Sequence, residues 1–254
     1  MIIYLSLIAV FFSSLVYGII GFADALILIP IITPIIGIKD SVILVNLWGT
    51  ITSTVNFIKY RSLLDRGYFL RFLTLGVPAT ILGTFLIIDL QFEWIELIFG
   101  IFVFVYASIK ISKYFFQETP VINSRDLYRN SNLVIFGGFS YGMLSGLISA
   151  AGPLNVALLE HTGHYKENFI GNFAAVSSVL SFSRVPFYFI GNIFPYELIY
   201  VFLIGIPIIY IATRLGHKIT PKISLTVFQI IIFCFLLIMS LKSIVLSLIG
   251  LISI

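Results

Sequence analysis

From residue 2 to residue 249 the chain is a succession of apolar runs, broken only by short polar or glycine-containing clusters. Only 10% of its residues are charged and its mean hydropathy is +1.11. A soluble domain carries roughly 25% charged residues. This chain lacks the charge to coat itself, and it reads as an all-α polytopic membrane protein whose helices satisfy their own backbone in lipid. The runs fall at 2–20, 25–36, 41–58, 68–88, 94–115, 131–149, 153–160, 167–190, 196–213 and 223–249. A crossing takes ~20 residues. Segments 25–36 and 153–160 are too short to cross alone and read as half-helices or re-entrant pieces, giving roughly eight to ten membrane segments. The first run has no charged leader and no small-residue cleavage site, so it is read as a membrane helix rather than a removable signal.

Several function classes drop out. The net charge of +4 is spread over short loops, which is no nucleic-acid signature. The one cysteine, Cys234, lies in an apolar run, where it forms no internal disulfide and is expected to pack in the interior. No phosphate-binding glycine loop, metal-ligand spacing or Ser/His/Asp motif is present, so neither an enzyme nor a cofactor or metal site is expected. The 254 residues hold no large soluble domain, so an ATP-powered pump is not expected from this chain alone.

Orientation follows from Lys and Arg in short loops. Lys59, Arg61, Arg66 and Arg71 mark one connection, and Lys110, Lys113, Arg125 and Arg129 mark the central linker. Arg214, Lys218 and Lys222 mark a third. These face the cytoplasm of a cell (inner) membrane. The loops 88–96 and 191–197 carry acidic residues and no basic ones, so they face out. Counting crossings puts the loop at 160–166 inside and makes 131–159 enter and return on one side. If 1–36 does likewise, both termini lie outside.

The two halves echo each other. "YGIIGFADALILIP" (17–30) aligns with "SGLISAAGPLNVAL" (145–158), Asn46 with Asn172, and Gly76-Val77-Pro78 with Gly205-Ile206-Pro207. Each half has an odd number of elements, so the second begins on the opposite side. The expected organisation is a first repeat at 1–116, a cytoplasmic linker at 117–130 and an inverted second repeat at 131–254. In such folds substrate sits near the midplane, where interrupted helices meet.

On these residues the chain resembles the TauE/SafE sulfite exporter family over nearly its whole length. The features are the size, the two-fold repeat, the basic central linker and an interrupted turn opening each half. The family turn is richer in glycine. Here the copies are Gly18-Ile19-Ile20-Gly21-Phe22-Ala23-Asp24, followed by Pro30, and Gly142 through Gly146 to Gly152-Pro153, with Asp24 where a small residue is usual. The resemblance implies transport of sulfite, sulfoacetate, thiosulfate or a related organic anion.

The candidate site residues lie at and beside the two breaks. A half-helix starting in mid-membrane exposes N–H groups and the positive end of its dipole, which an anion satisfies. Gly21 and Gly152 open the turns, Pro153 suits the first helical position, and Asn155 follows in the second short piece. From Asn46, residues Thr50, Ser53 and Thr54 share a helix face. Ser177, Ser181 and Arg184 do so in the second half, with Asn172 to one side. Such residues either line a path or glue helices together. Arg184 is an intramembrane cation, able to bind an oxyanion or to snorkel outward. Asp24 is a helix cap, a partner of Arg184 or Lys59, or a carrier of a coupling proton. His161 and His164 read as a solvated loop, with a proton relay as the other reading.

The expected function is a secondary transporter of a small anion, with a sulfur-containing one first. A small carboxylate carrier or an anion channel is the alternative. The expected partners are that anion and the lipid bilayer. Proton coupling and a homodimer stay open.

Overall fold

A computed structural model of the chain describes residues 2–86, 92–115, 131–149 and 151–252. The linker expected at 117–130 lies outside the described residues. Among those described there are ten α-helices and no strands. They are α1 (Ile2–Ile20), α2 (Asp24–Ile36), α3 (Ile38–Tyr60), α4 (Arg66–Leu86), α5 (Phe92–Phe115), α6 (Ser131–Ile148), α7 (Gly152–His161), α8 (Lys166–Ile190), α9 (Ile199–Ile219) and α10 (Leu225–Ile252). The chain is thus an all-α, multi-pass membrane protein. At 1.5 Å per residue, α2 spans roughly 20 Å and α7 roughly 15 Å, against a hydrocarbon core of about 30 Å. Neither crosses by itself.

Backbone geometry sets the joints. The Gly21 N–H donates to the Tyr17 carbonyl at 2.8 Å and closes α1. Gly21 then turns at φ +87°, packed so tightly on Ile170 that a Cβ would lie 2.9 Å from its side chain. A single residue, Gly37 at φ +83°, separates α2 from α3. Between α6 and α7, Ser149 adopts φ 54° and α7 opens at Gly152.

The helices form two compact units: α1–α4 with α6–α9, and α5 with α10. In the larger unit α1 packs on α9 and α4 on α6. The helices α3 and α8 pack on each other, α4 also packs on α8, and α3 on α9. Exchanging α1–α4 for α6–α9 leaves this scheme of neighbours unchanged. Asn46 meets Ser181 while Tyr60 meets Gly171, so α3 and α8 run antiparallel.

Polarity is turned inside out relative to a soluble protein. Leu70, Phe136, Phe182 and Ile190 are exposed, whereas Ser13, Asn46, Asn56, Asn172 and Arg184 are buried. Cys234, expected in the interior, is instead exposed, because its side of α10 is an apolar outer surface rather than a core.

Helix pairing depends on missing side chains. A Cβ at Gly142 would lie 2.3 Å from the Gly76 carbonyl, and one at Gly138 would lie 2.2 Å from the Phe72 carbonyl. Without a hydrophobic drive between helices in lipid, such close backbone approach is what pairs them. Gly142→Ala is expected to cost about 1–3 kcal/mol by overpacking, read as a lower Tm of the detergent-purified protein. An unchanged Tm would mean that α4 and α6 do not meet at this glycine.

Candidate functional site

Arg184 sits on the buried face of α8, one turn beyond Ser181 and two beyond Ser177. A guanidinium there needs acceptors, and the break between α6 and α7 supplies them. Its Nη1 donates to the Ser145 carbonyl at 2.5 Å and to Ser149 Oγ at 2.8 Å. Nη2 reaches Ser181 Oγ at 3.4 Å. Nε is buried with no partner. The expected ion pairs of Asp24 with Arg184 or Lys59 are not formed among the described residues.

The other break lies against the same space. Ala23, at φ 89°, precedes α2, and Asp24 is the first helical residue rather than the cap before it. Its Oδ1 accepts the Ala25 N–H at 2.9 Å. Its Oδ2 lies 3.3 Å from where a Cβ on Gly49 would stand.

Between the two breaks is a cavity of about 40 Å³. One water needs about 10–15 Å³ on this measure, so the cavity admits a few water-sized atoms, as in a small oxyanion. Ala23, Asp24, Ala25 and Leu26 line it from the first break, and Ser145, Ser149 and Gly152 from the second. Tyr17, Asn46, Gly49 and Tyr141 add to the wall, with Phe173, Ser177, Ser181 and Arg184 from α8. Asn46 Nδ2 donates to the Ser181 carbonyl at 3.2 Å, which leaves its Oδ1 without a partner. Tyr141 and Ser177 share a hydrogen bond of 3.2 Å. The Tyr17 hydroxyl, near Ser177, makes none of good geometry.

Of the residues singled out by sequence, Asp24, Asn46, Gly152, Ser177, Ser181 and Arg184 meet at this cavity. The others have different partners. Gly21 packs on Ile170. Thr50 bonds back to the Asn46 carbonyl at 2.8 Å and Ser53 to Gly49 at 2.7 Å, both within α3. Pro153 is buried at the start of α7. Tyr17, Tyr141 and Ser145 were missed. The offset of 128 residues that aligns the two breaks sets Ser145 against Tyr17, a signal that was available.

Asn155 and Asn172 belong to a second polar cluster. Asn172 accepts the Asp65 N–H at 2.8 Å and donates to the Leu63 carbonyl at 3.1 Å, tying α8 to the α3–α4 connection. Asp65 caps α4 through the Gly67 and Tyr68 N–H groups. The Tyr68 hydroxyl donates to Asn155 Oδ1 on α7. His164 is buried here, not solvated as expected: the tight turn after α7 folds its ring onto Tyr68, with Nε2 3.4 Å from Asp65 Oδ2 and Nδ1 2.9 Å from Thr162 Oγ1. His161 stays exposed.

Burial pushes His164 below the ordinary histidine range, and Asp65 opposes that only in part. The folded form therefore binds this proton less well than the unfolded chain. Its stability contribution is complete above the unperturbed pKa of about 6.5 and declines as pH falls below it. The Tm of the wild type should fall on acidification more steeply than that of His164→Gln. Parallel pH profiles would remove His164 from the acid sensitivity.

The sulfite exporter TauE/SafE family model matches residues 6–243. No curated protein and no solved structure matches this chain. The family match spans both helix breaks and all of the cavity lining. This chain belongs to the sulfite exporter TauE/SafE family, and it is a membrane transporter.

Proposed function

We propose that this protein is a secondary carrier of a small sulfur oxyanion or sulfonate, such as sulfite, sulfoacetate or thiosulfate, and that the anion binds in the cavity between the two helix breaks. One observation carries the reading. A buried guanidinium faces that cavity with Nε free, while Nη1 is held by the α6–α7 break and Nη2 by Ser181 of its own helix. A cation oriented in this way attracts an oxyanion without first having to be ordered. The halves 1–116 and 131–254 act as inverted repeats that rock around the site. The exchange of neighbours and the antiparallel α3 and α8 support this sense of the repeat.

The connection 59–71 faces the cytoplasm in this scheme. The cluster of Asp65, Tyr68, Asn155, His164 and Asn172 joins α4, α7 and α8 beside that connection, and it acts as the closed inner gate. His164 supplies the site for a coupled proton.

In proteoliposomes, Arg184→Ala is expected to lower uptake of labelled sulfite or sulfonate at least about tenfold, the effect of losing a charge-assisted hydrogen bond, with membrane insertion intact. Full activity would take Arg184 out of the site. Currents far above carrier turnover would point to a channel instead. Tags on both ends of the chain should be reached from outside, and a C-terminal tag reached only from the cytoplasm would break the inverted arrangement.

A further inference from the structure

Asp24 is an odd neighbour for an anion, and the polar atoms around it say what kind of anion tolerates it. The cavity offers two kinds of group. Arg184 Nε and the Tyr17 hydroxyl are donors in need of an acceptor. Asn46 Oδ1 is an acceptor in need of a donor, and its orientation is fixed because Nδ2 is committed to the Ser181 carbonyl. Asp24 Oδ1 is committed to the Ala25 N–H, while Oδ2 lies beside Gly49. The ionisable groups facing this space are Asp24 of α2, Arg184 of α8, Tyr17 of α1 and Tyr141 of α6; α3 and α7 bring none.

A ligand that only accepts leaves Asn46 Oδ1 unpaired and presses its oxygens on the Asp24 carboxylate. A dianion brings twice the charge of a monoanion to a cavity whose one guanidinium already faces the Asp24 carboxylate. A ligand with one negative charge and one donor of its own satisfies both halves of the cavity. We propose that Asp24, with Asn46, makes this site select singly charged anions that carry an O–H or N–H donor, such as hydrogen sulfite, over donor-free monoanions and over dianions. The inference rests on the reading of the cavity as the substrate site. A site built to pair with a donor rejects an analogue lacking it because its own buried acceptors then go unpaired.

Three tetrahedral probes of similar size separate the possibilities at one neutral pH: sulfamate, a monoanion with N–H donors; methanesulfonate, a monoanion without them; and sulfate, a dianion. Binding is measured by titration calorimetry on the purified, folded chain. Sulfamate should bind at least about tenfold more tightly than either of the others, and Asp24→Asn should narrow that gap chiefly by admitting sulfate. The wild-type ratio needs no variant, so an Asp24→Asn chain that fails to fold leaves the test decisive. Equal wild-type affinities for sulfamate and methanesulfonate, both abolished by Arg184→Ala, would overturn the selectivity while leaving the site in place. Methanesulfonate binding that rises on acidification to match sulfamate would put the proton on Asp24 rather than on the ligand, and would also overturn it. Binding of none of the three by folded protein would overturn the substrate-site reading itself.

Discussion

A guanidinium buried in an apolar membrane protein must be solvated by the protein, and Arg184 is solvated by a broken helix. Placing an arginine in mid-membrane costs about 2.5–3.5 kcal/mol on insertion scales. The end of α6 offers the compensation: a carbonyl with a second lone pair, a serine hydroxyl and the negative end of a helix dipole. The Ser145 carbonyl takes both the Ser149 N–H and Arg184 Nη1. The break and the charge therefore explain each other. The Ser145 carbonyl keeps its helical bond and gives its second lone pair to the guanidinium, while the turn at Ser149, with φ 54°, brings that residue's hydroxyl to the same nitrogen.

The second break is built on the same plan with the opposite charge. At the α6–α7 joint the polar side chains are serines and the half-helix opens on Gly152. At the α1–α2 joint it opens on Asp24, whose carboxylate takes its own neighbour's N–H. The two joints meet at one cavity because α3 and α8 pack antiparallel, and Asn46 reaches across that contact to the Ser181 carbonyl. A repeated framework thus carries an unequal pair of ends, and a cavity with one cation and one carboxylate is the result. At the other end of the same helix pair, Asn172 spends its amide on the chain between α3 and α4. Matching positions in the two halves have been given different work.

Much of this was legible in the chain. Runs of apolar residues end at Gly21, Gly37, Ser149 and Gly191 because glycine and left-handed turns act locally, and the helices begin and end close to where the runs do. Asp24, Gly152 and Arg184 stood out because each breaks the apolar pattern around it. Tyr17 and Tyr141 did not, since a phenol in an aromatic-rich chain reads as packing. Thr50 and Ser53 looked like a lining because they share a face with Asn46. Their hydroxyls instead bond back one turn along α3, which needs no third helix. His164 looked solvated because it follows a polar run. A turn of three residues after α7 folds it under Tyr68, and no composition reveals that.

The sequence by itself determined that this chain lives in a membrane and where its apolar runs are interrupted, because hydropathy, helix length and glycine geometry are settled within a few residues. Which polar groups meet was decided only by the tertiary structure. Arg184 to Ser145 and Ser149, Asn46 to Ser181, and Asn172 to Asp65 are pairings between residues far apart in the chain. In lipid there is little hydrophobic force to select them; close backbone contact and the demand that every buried donor and acceptor find a partner choose among the many arrangements that apolar helices would otherwise allow.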